Sequence, residues 1–233
     1  MPKVKPIIHQ VEQRSPEWHE LRLGKVTGSR AKDTLAFYKQ TKAQAAAGIE
    51  PNEMAIRKSY REGIVAERLT GMPADPEPYV SYDMKWGIVN EDIAKTVYQM
   101  ERRAVVETAP FYEHPKLKAG VSPDGIVTDV KTGEVGLMEV KCLRSANHLY
   151  KVMRDQAVPK DYIDQIQMQM WITGYDWCDF VAYDSRLPEG LRIYIDRVPY
   201  DKEYVSNVLE PGIVKFLAEC ENDFKAFFAR IKK

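Results

Sequence analysis

Two short stretches carry the residue types of a metal-assisted hydrolytic site. Ser122-Pro123-Asp124-Gly125 is followed by Glu139-Val140-Lys141, with fourteen residues between Asp124 and Glu139. Two carboxylates can hold a hard divalent cation, and an ammonium beside them can orient or activate a water for attack on a phosphodiester. Glu139 and Lys141 are two apart, so on a β-strand they share a face while Val140 points the other way, into a core. Ile126-Val127 and Val135 to Val140 can form the arms of a hairpin, with Lys131-Thr132-Gly133-Glu134 as its turn. Pairing those arms brings Asp124 beside Glu139 and Lys141. The competing interpretation is a solvent-facing hairpin of ordinary alternating charge. The three-residue pattern alone is common by chance, so the rest of the chain must decide.

The elements that would position these groups can be read from periodicity and caps. Ser15-Pro16-Glu17-Trp18 starts a short helix reaching about Leu23-Gly24, with Ser as cap and Pro in the first turn. Thr27-Gly28-Ser29 starts a second helix, through Ala36. Residues 37–52 are rich in Lys, Gln and Ala and interrupted by Gly48 and Pro51, which makes them the best candidate for a mobile loop. Asn52 is expected to cap a helix with an apolar stripe of Ile56, Tyr60, Ile64 and Leu69. Pro73, Pro76 and Pro78 mark residues 71–82 as a loop. The following helix should bury Ile88, Val89, Ile93, Val97 and Tyr98. Strands are expected at Ala104–Thr108, Leu117–Val121, Gly125–Asp129 and Val135–Lys141, then a helix from Ser145 to about Met153 and another from Tyr162 to Thr173, ended by Gly174. Two more strands, Phe180–Tyr183 and Arg192–Val198, precede a long amphipathic helix from Lys202 to Ile231, with a break near Pro211-Gly212. This order predicts an α/β fold with a mixed central sheet flanked by helices, one domain over residues 1–233.

Composition narrows the setting. The chain has 233 residues, 44% of them hydrophobic and 29% charged, as in soluble globular proteins. No apolar run approaches membrane-spanning length, and Met1 to Pro6 carry no hydrophobic signal core. Cys142, Cys178 and Cys220 are far apart and form no CxxC, and four scattered histidines suggest no His-based metal cluster. A reduced, cytoplasmic setting is therefore expected. The 34 basic and 34 acidic residues balance to a net charge of zero. That weighs mildly against a nucleic-acid partner unless charge is segregated between an inner and an outer surface.

Four motifs then fall in one order across residues 15–205. They are Trp18-His19-Glu20-Leu21-Arg22-Leu23-Gly24 with Val26-Thr27-Gly28-Ser29; Ser122-Pro123-Asp124-Gly125; Glu139-Val140-Lys141-Cys142; and Tyr162-Ile163-Asp164-Gln165-Ile166-Gln167 with Met170-Trp171. Together they resemble the phage lambda exonuclease family, the YqaJ-like viral recombinases and alkaline exonucleases of the restriction-endonuclease-like superfamily. Any one motif would be weak; four in order are strong.

The resemblance implies a Mg2+-dependent exonuclease, with Mn2+ able to substitute, that degrades one strand of duplex DNA from its 5′ end. It implies mononucleotide products and a 3′ overhang for single-strand annealing. By resemblance Asp124, Glu139 and the Val140 carbonyl hold the metal, Lys141 orients the water, and Glu91 is the additional acidic residue. Arg22, Ser29, Ser122 and Gln165 match the pocket for the 5′ phosphate. Arg22 suits bidentate binding of an anion, and Ser29 sits at a helix start whose free N–H groups favour phosphate. Tyr162 shares a face with Gln165 and matches a further DNA contact. Met84 matches an apolar wedge between strands, with plain core packing as the alternative. Gln167 and Gln169 read as structural. The family further implies a homotrimeric ring around DNA, an annealing-protein partner, and a phage or prophage gene in a bacterial host. Residues 37–61 have no clear counterpart. Two rivals stay open: a sequence- or structure-specific endonuclease of the same fold, and a nuclease-fold protein that only binds DNA or a recombination partner.

Overall fold

The computed structural model describes residues 5–75, 81–142 and 145–231. Met1 to Val4, and Pro76 and Pro78 of the expected loop, lie outside the described residues. The larger sheet has the order β3-β6-β7-β8-β9. Its strands are β3 (Ala104–Glu107), β6 (Gly125–Asp129), β7 (Val135–Lys141), β8 (Trp177–Tyr183) and β9 (Ile193–Pro199). It is mixed: β7 and β8 are parallel, and the other neighbours are antiparallel. A parallel pair needs a crossover. Here α6 (Ala146–Asp155) and α7 (Lys160–Thr173) supply it.

A second sheet, β1-β4-β5-β2, was not foreseen. It is made of β1 (Ile7–His9), β4 (Phe111–Glu113), β5 (Ala119–Val121) and β2 (Val26–Thr27). Only β5 falls within an expected strand, Leu117–Val121; β1, β2 and β4, of two or three residues, are too short to display a period.

Helix α7 lies between the two sheets. Its Ile166 and Met170 pack on Leu137 and Phe180 of the larger sheet. Its Met168, Trp171 and Ile172 pack with Val26 and Val121 of the smaller sheet and with Leu209, Ile213 and Phe216. Residues 166–172 are consequently buried on every side, polar ones included. The opposite face of the larger sheet is covered by α5 (Tyr82–Arg102).

The helix α5 corrects an expectation. Its buried side is Asn90, Ala94 and Tyr98, while Ile88, Val89 and Ile93 are exposed. The small Ala94 lets the helix approach the sheet. Tyr98 extends beneath it to donate a 2.6 Å hydrogen bond to Asp179, which Arg197 also grips. A buried carboxylate with two such donors outweighs a stripe of aliphatics in setting helix rotation.

Other differences are local. The span 37–52 is not featureless: Phe37 bridges to Glu53, and α3 (Lys42–Ala46) begins with a capping box between Thr41 and Gln44. The helix expected to be capped by Asn52 is α4 (Ala55–Thr70), and Met54 takes the cap position. The second helix is preceded by β2 and a 3-10 turn, Gly28–Arg30, before α2 (Ala31–Thr34). The C-terminal helix stays continuous through Pro211. After α8 (Lys202–Tyr204), a π-helical segment, Val205–Leu209, leads into α9 (Glu210–Ile231). Widening the turn relieves the clash between a proline ring and the carbonyl four residues earlier.

Candidate active site

The hairpin β6–β7 forms with the expected turn, and Gly133 adopts φ 72° within it, a conformation glycine takes without strain. Asp124 precedes β6. Its N–H donates to the Met138 carbonyl, and its carboxylate accepts from the Val140 N–H at 2.7 Å. Asp124 is thereby tied by two hydrogen bonds to the strand that carries Glu139 and Lys141. Val140 packs beneath α5 in the core, and Glu139 faces α7 with 1% exposure.

Glu139 accepts three side-chain hydrogen bonds. Lys141 Nζ at 2.5 Å and Gln165 Nε2 at 2.6 Å meet Oε1, and Gln169 Nε2 at 2.6 Å meets Oε2. Gln169 was read from the sequence as structural; its amide is in fact on the acidic centre. The available signal was its spacing of four from Gln165, which puts both on one helical face. Gln167 points elsewhere, joining the Pro199 carbonyl and the Asp201 N–H. Lys141 lies 5.2 Å from the Tyr162 ring, which stacks on Phe180. Tyr162 is thus half-buried beside Lys141.

A cleft of about 460 Å³ gathers Asp124, Glu139, Val140 and Lys141 with Glu91, Met84, Arg22, Ser29, Ser122 and Gln165. Arg22 stacks on Trp18, with its guanidinium carbon 4.0 Å from the ring centroid. The Trp18 indole donates to the Ser122 hydroxyl at 2.7 Å, leaving that hydroxyl's own proton to donate into the cleft. Burial lowers the Arg22 pKa to about 10, against the opposing effect of Tyr60 and Glu67. A partly desolvated guanidinium with no salt bridge among the described residues has the chemistry to take an anion. Met84 is 55% exposed at the cleft, so it is not core packing.

Glu91 reaches the cleft from α5 but is held by Lys95 at 2.7 Å and by Arg14. Burial acts to raise its pKa, and those two cations outweigh it and hold the carboxyl below the usual range. Gln13 and Arg14 also line the cleft, with Gln13 donating to the Pro123 carbonyl. Sequence reasoning missed both; nothing local marks them, because they reach the site from a loop far away in the chain. Lys95 is four residues from Glu91, a pairing the sequence does display.

The acidic centre suits a hard cation. Burial, then the charges of Glu139 and Glu91, raise the Asp124 pKa to about 8. A divalent ion would offset that repulsion. Among the described residues no three His, Cys, Asp or Glu side chains gather as a metal cluster. Asp124 and Glu139 together offer the carboxylate oxygens that a hard divalent cation takes. Lys141 remains charged: burial disfavours its ammonium, but Glu139 and Asp124 more than compensate and raise its pKa.

The YqaJ-like viral recombinase domain matches residues 17–176. Among solved structures, the chain is similar to an alkaline exonuclease, LHK-Exo, from Laribacter hongkongensis. The identity is 30%, the TM-score 0.76, and the match covers 94% of this chain and 98% of that one. The complex of LHK-Exo with dAMP aligns at TM-score 0.78 with the same identity and coverage. A phage-related exonuclease from Haemophilus somnus 129PT shares the fold at 18% identity and TM-score 0.60, over 89% of this chain and 96% of that one. No curated protein sequence matches the chain.

Proposed function

This chain belongs to the YqaJ-like viral recombinase family, and from that premise we propose that it is a metal-dependent exonuclease that degrades one strand of duplex DNA from its 5′ end. The observation that carries this reading is the meeting, in one cleft, of the Asp124–Glu139–Lys141 centre with the Arg22–Ser29–Ser122 pocket. An acidic centre alone would serve any nuclease of this fold. A cationic, hydroxyl-rich pocket beside it suits a chain end.

Asp124, Glu139 and the Val140 carbonyl would hold Mg2+, or Mn2+ in its place. When bound, the ion supplies Lewis-acid polarisation of the scissile phosphate and a more acidic water. Lys141, held against Glu139, orients the attacking water and offsets charge on the phosphorane. Glu91 is the additional acidic residue at the cleft wall, kept ionised by its clamp with Arg14 and Lys95. Arg22 meets the 5′ phosphate in bidentate fashion, with Ser29, Ser122 and Gln165 as further donors. Met84, exposed at the cleft, suits a wedge between strands. The relative's complex with dAMP, a nucleoside monophosphate, supports release of mononucleotides. The remaining strand would be a 3′ overhang for an annealing protein, in a phage or prophage context. A homotrimeric ring would let a chain of zero net charge enclose DNA.

Digestion of linear and covalently closed duplex, each with Mg2+ or EDTA, tests the reading. Linear DNA labelled at the 5′ end should lose its label first, as mononucleotide, only with Mg2+. Cutting of closed circles would instead favour an endonuclease, and no cutting of either would favour a binding protein.

A further inference from the structure

Gln169 is 1% exposed and lies one helical turn beyond Gln165 on α7. The two amides divide the Glu139 carboxylate between them, Gln165 on Oε1 and Gln169 on Oε2. On its far side the Gln169 carbonyl oxygen faces the Cys178 thiol at 4.0 Å, from the strand paired in parallel with β7. A thiol is a weak donor. The acceptor end of the amide therefore faces a donor and its NH2 end faces the carboxylate, so the amide has one favoured orientation. The Thr173 hydroxyl caps the Gln169 backbone carbonyl at 2.7 Å, which fixes this turn of the helix.

Each carboxylate oxygen offers about two acceptor positions. Lys141 and Gln165 fill both positions of Oε1, and Gln169 fills one of Oε2. One position on Oε2 is left for a cation. We infer that Gln169 is a positioning residue for metal binding, holding the Glu139 carboxylate so that this remaining lone pair on Oε2 is the one presented. This rests on the metal-site reading above. Gln165 is not equivalent: it also lines the phosphate pocket, so its removal would confound metal and DNA effects.

The test uses the whole protein and Mn2+ as probe, with free Mn2+ followed by electron paramagnetic resonance in the absence of DNA. Gln169→Met keeps length and burial but cannot donate. Gln169→Asn keeps an amide that falls short of Oε2, and it decides the matter if the Met variant does not fold. Partners that orient a metal ligand typically contribute about 10–100-fold to affinity. Either variant should weaken Mn2+ binding by roughly tenfold or more, lower kcat, leave KM for duplex ends unchanged, and recover kcat at raised Mg2+. A folded variant that binds Mn2+ within about twofold of wild type, well below that range, overturns the inference. Wild-type protein that binds no Mn2+ sinks the metal-site reading and this inference with it.

Discussion

The two carboxylates and the ammonium at the centre can be tested one substitution at a time. Asp124→Ala, Glu139→Ala and Lys141→Ala should each lower cleavage by at least about a hundredfold, a loss typical of removing a group that stabilises developing charge. Circular dichroism should still show a cooperative melt, since none of the three is an apolar core contact. A near-wild-type rate would remove that residue from the site. The raised Asp124 pKa makes a second, signed prediction. The folded state keeps a proton that the unfolded chain releases near 3.8, so the metal-free protein should lose stability as pH rises from there to about 8 and level off above it. Melts in EDTA from about pH 5 to about pH 9 should show this decline. Mg2+ should reverse it, with affinity growing through the same window, and Asp124→Asn should flatten it. At the other end of the cleft, Arg22 concerns the DNA end. A charge-assisted hydrogen bond contributes about 1.5–3 kcal/mol, so wild type should start on 5′-phosphorylated ends roughly tenfold faster than on 5′-hydroxyl ends. Arg22→Ala should abolish that preference, and Arg22→Lys should restore only part of it, because an ammonium lacks the planar fork. Equal rates on both ends in wild type would show the pocket misassigned.

The centre is only as exact as the strands beneath it. β7 and β8 lie side by side, and the Trp177 ring covers Gly136. A Cβ at Gly136 would fall 2.2 to 2.4 Å from three atoms of that ring. The ring cannot retreat freely, because the Arg197 guanidinium stacks on it at 3.5 Å while also gripping Asp179. Gly136→Ala should therefore destabilise the protein by about 1–3 kcal/mol, the usual range for overpacking. Urea denaturation would measure it, and an unchanged midpoint would mean that β7 and β8 can part without cost. Asp179, Tyr98 and Arg197 also set how α5 rests on the sheet, and so where Glu91 meets the cleft.

At the scale of the whole molecule, among the described residues no helix is long and apolar enough to cross a membrane. The equal numbers of acidic and basic residues leave no net field to draw DNA to the surface as a whole. The proposed closed ring would answer this through geometry, since enclosure would hold the duplex regardless of total charge. Light scattering should then give a mass near three times the 26.8 kDa of one chain. A single-chain mass at working concentration would remove the ring, and processivity by enclosure with it.

What the sequence determined by itself was the chemistry that is local in the chain. The β6–β7 hairpin was legible because alternation and a Gly-containing turn specify register over a few residues. Ser15 as cap and Gly174 as terminator were legible for the same reason, because caps are short-range. Four ordered motifs identified the family. The tertiary structure decided what depends on distant partners. It rotated α5 to satisfy Asp179, so that Ile88, Val89 and Ile93 face outward although their spacing suggested a core. It brought Arg14 to Glu91 across 77 residues of chain. It buried residues 166–172 of α7 on all sides, so no amphipathic pattern there distinguished Gln169 from Gln167. A side chain's neighbours within a turn follow from backbone geometry, whereas its neighbours across a packed interface follow from which buried polar groups must find partners.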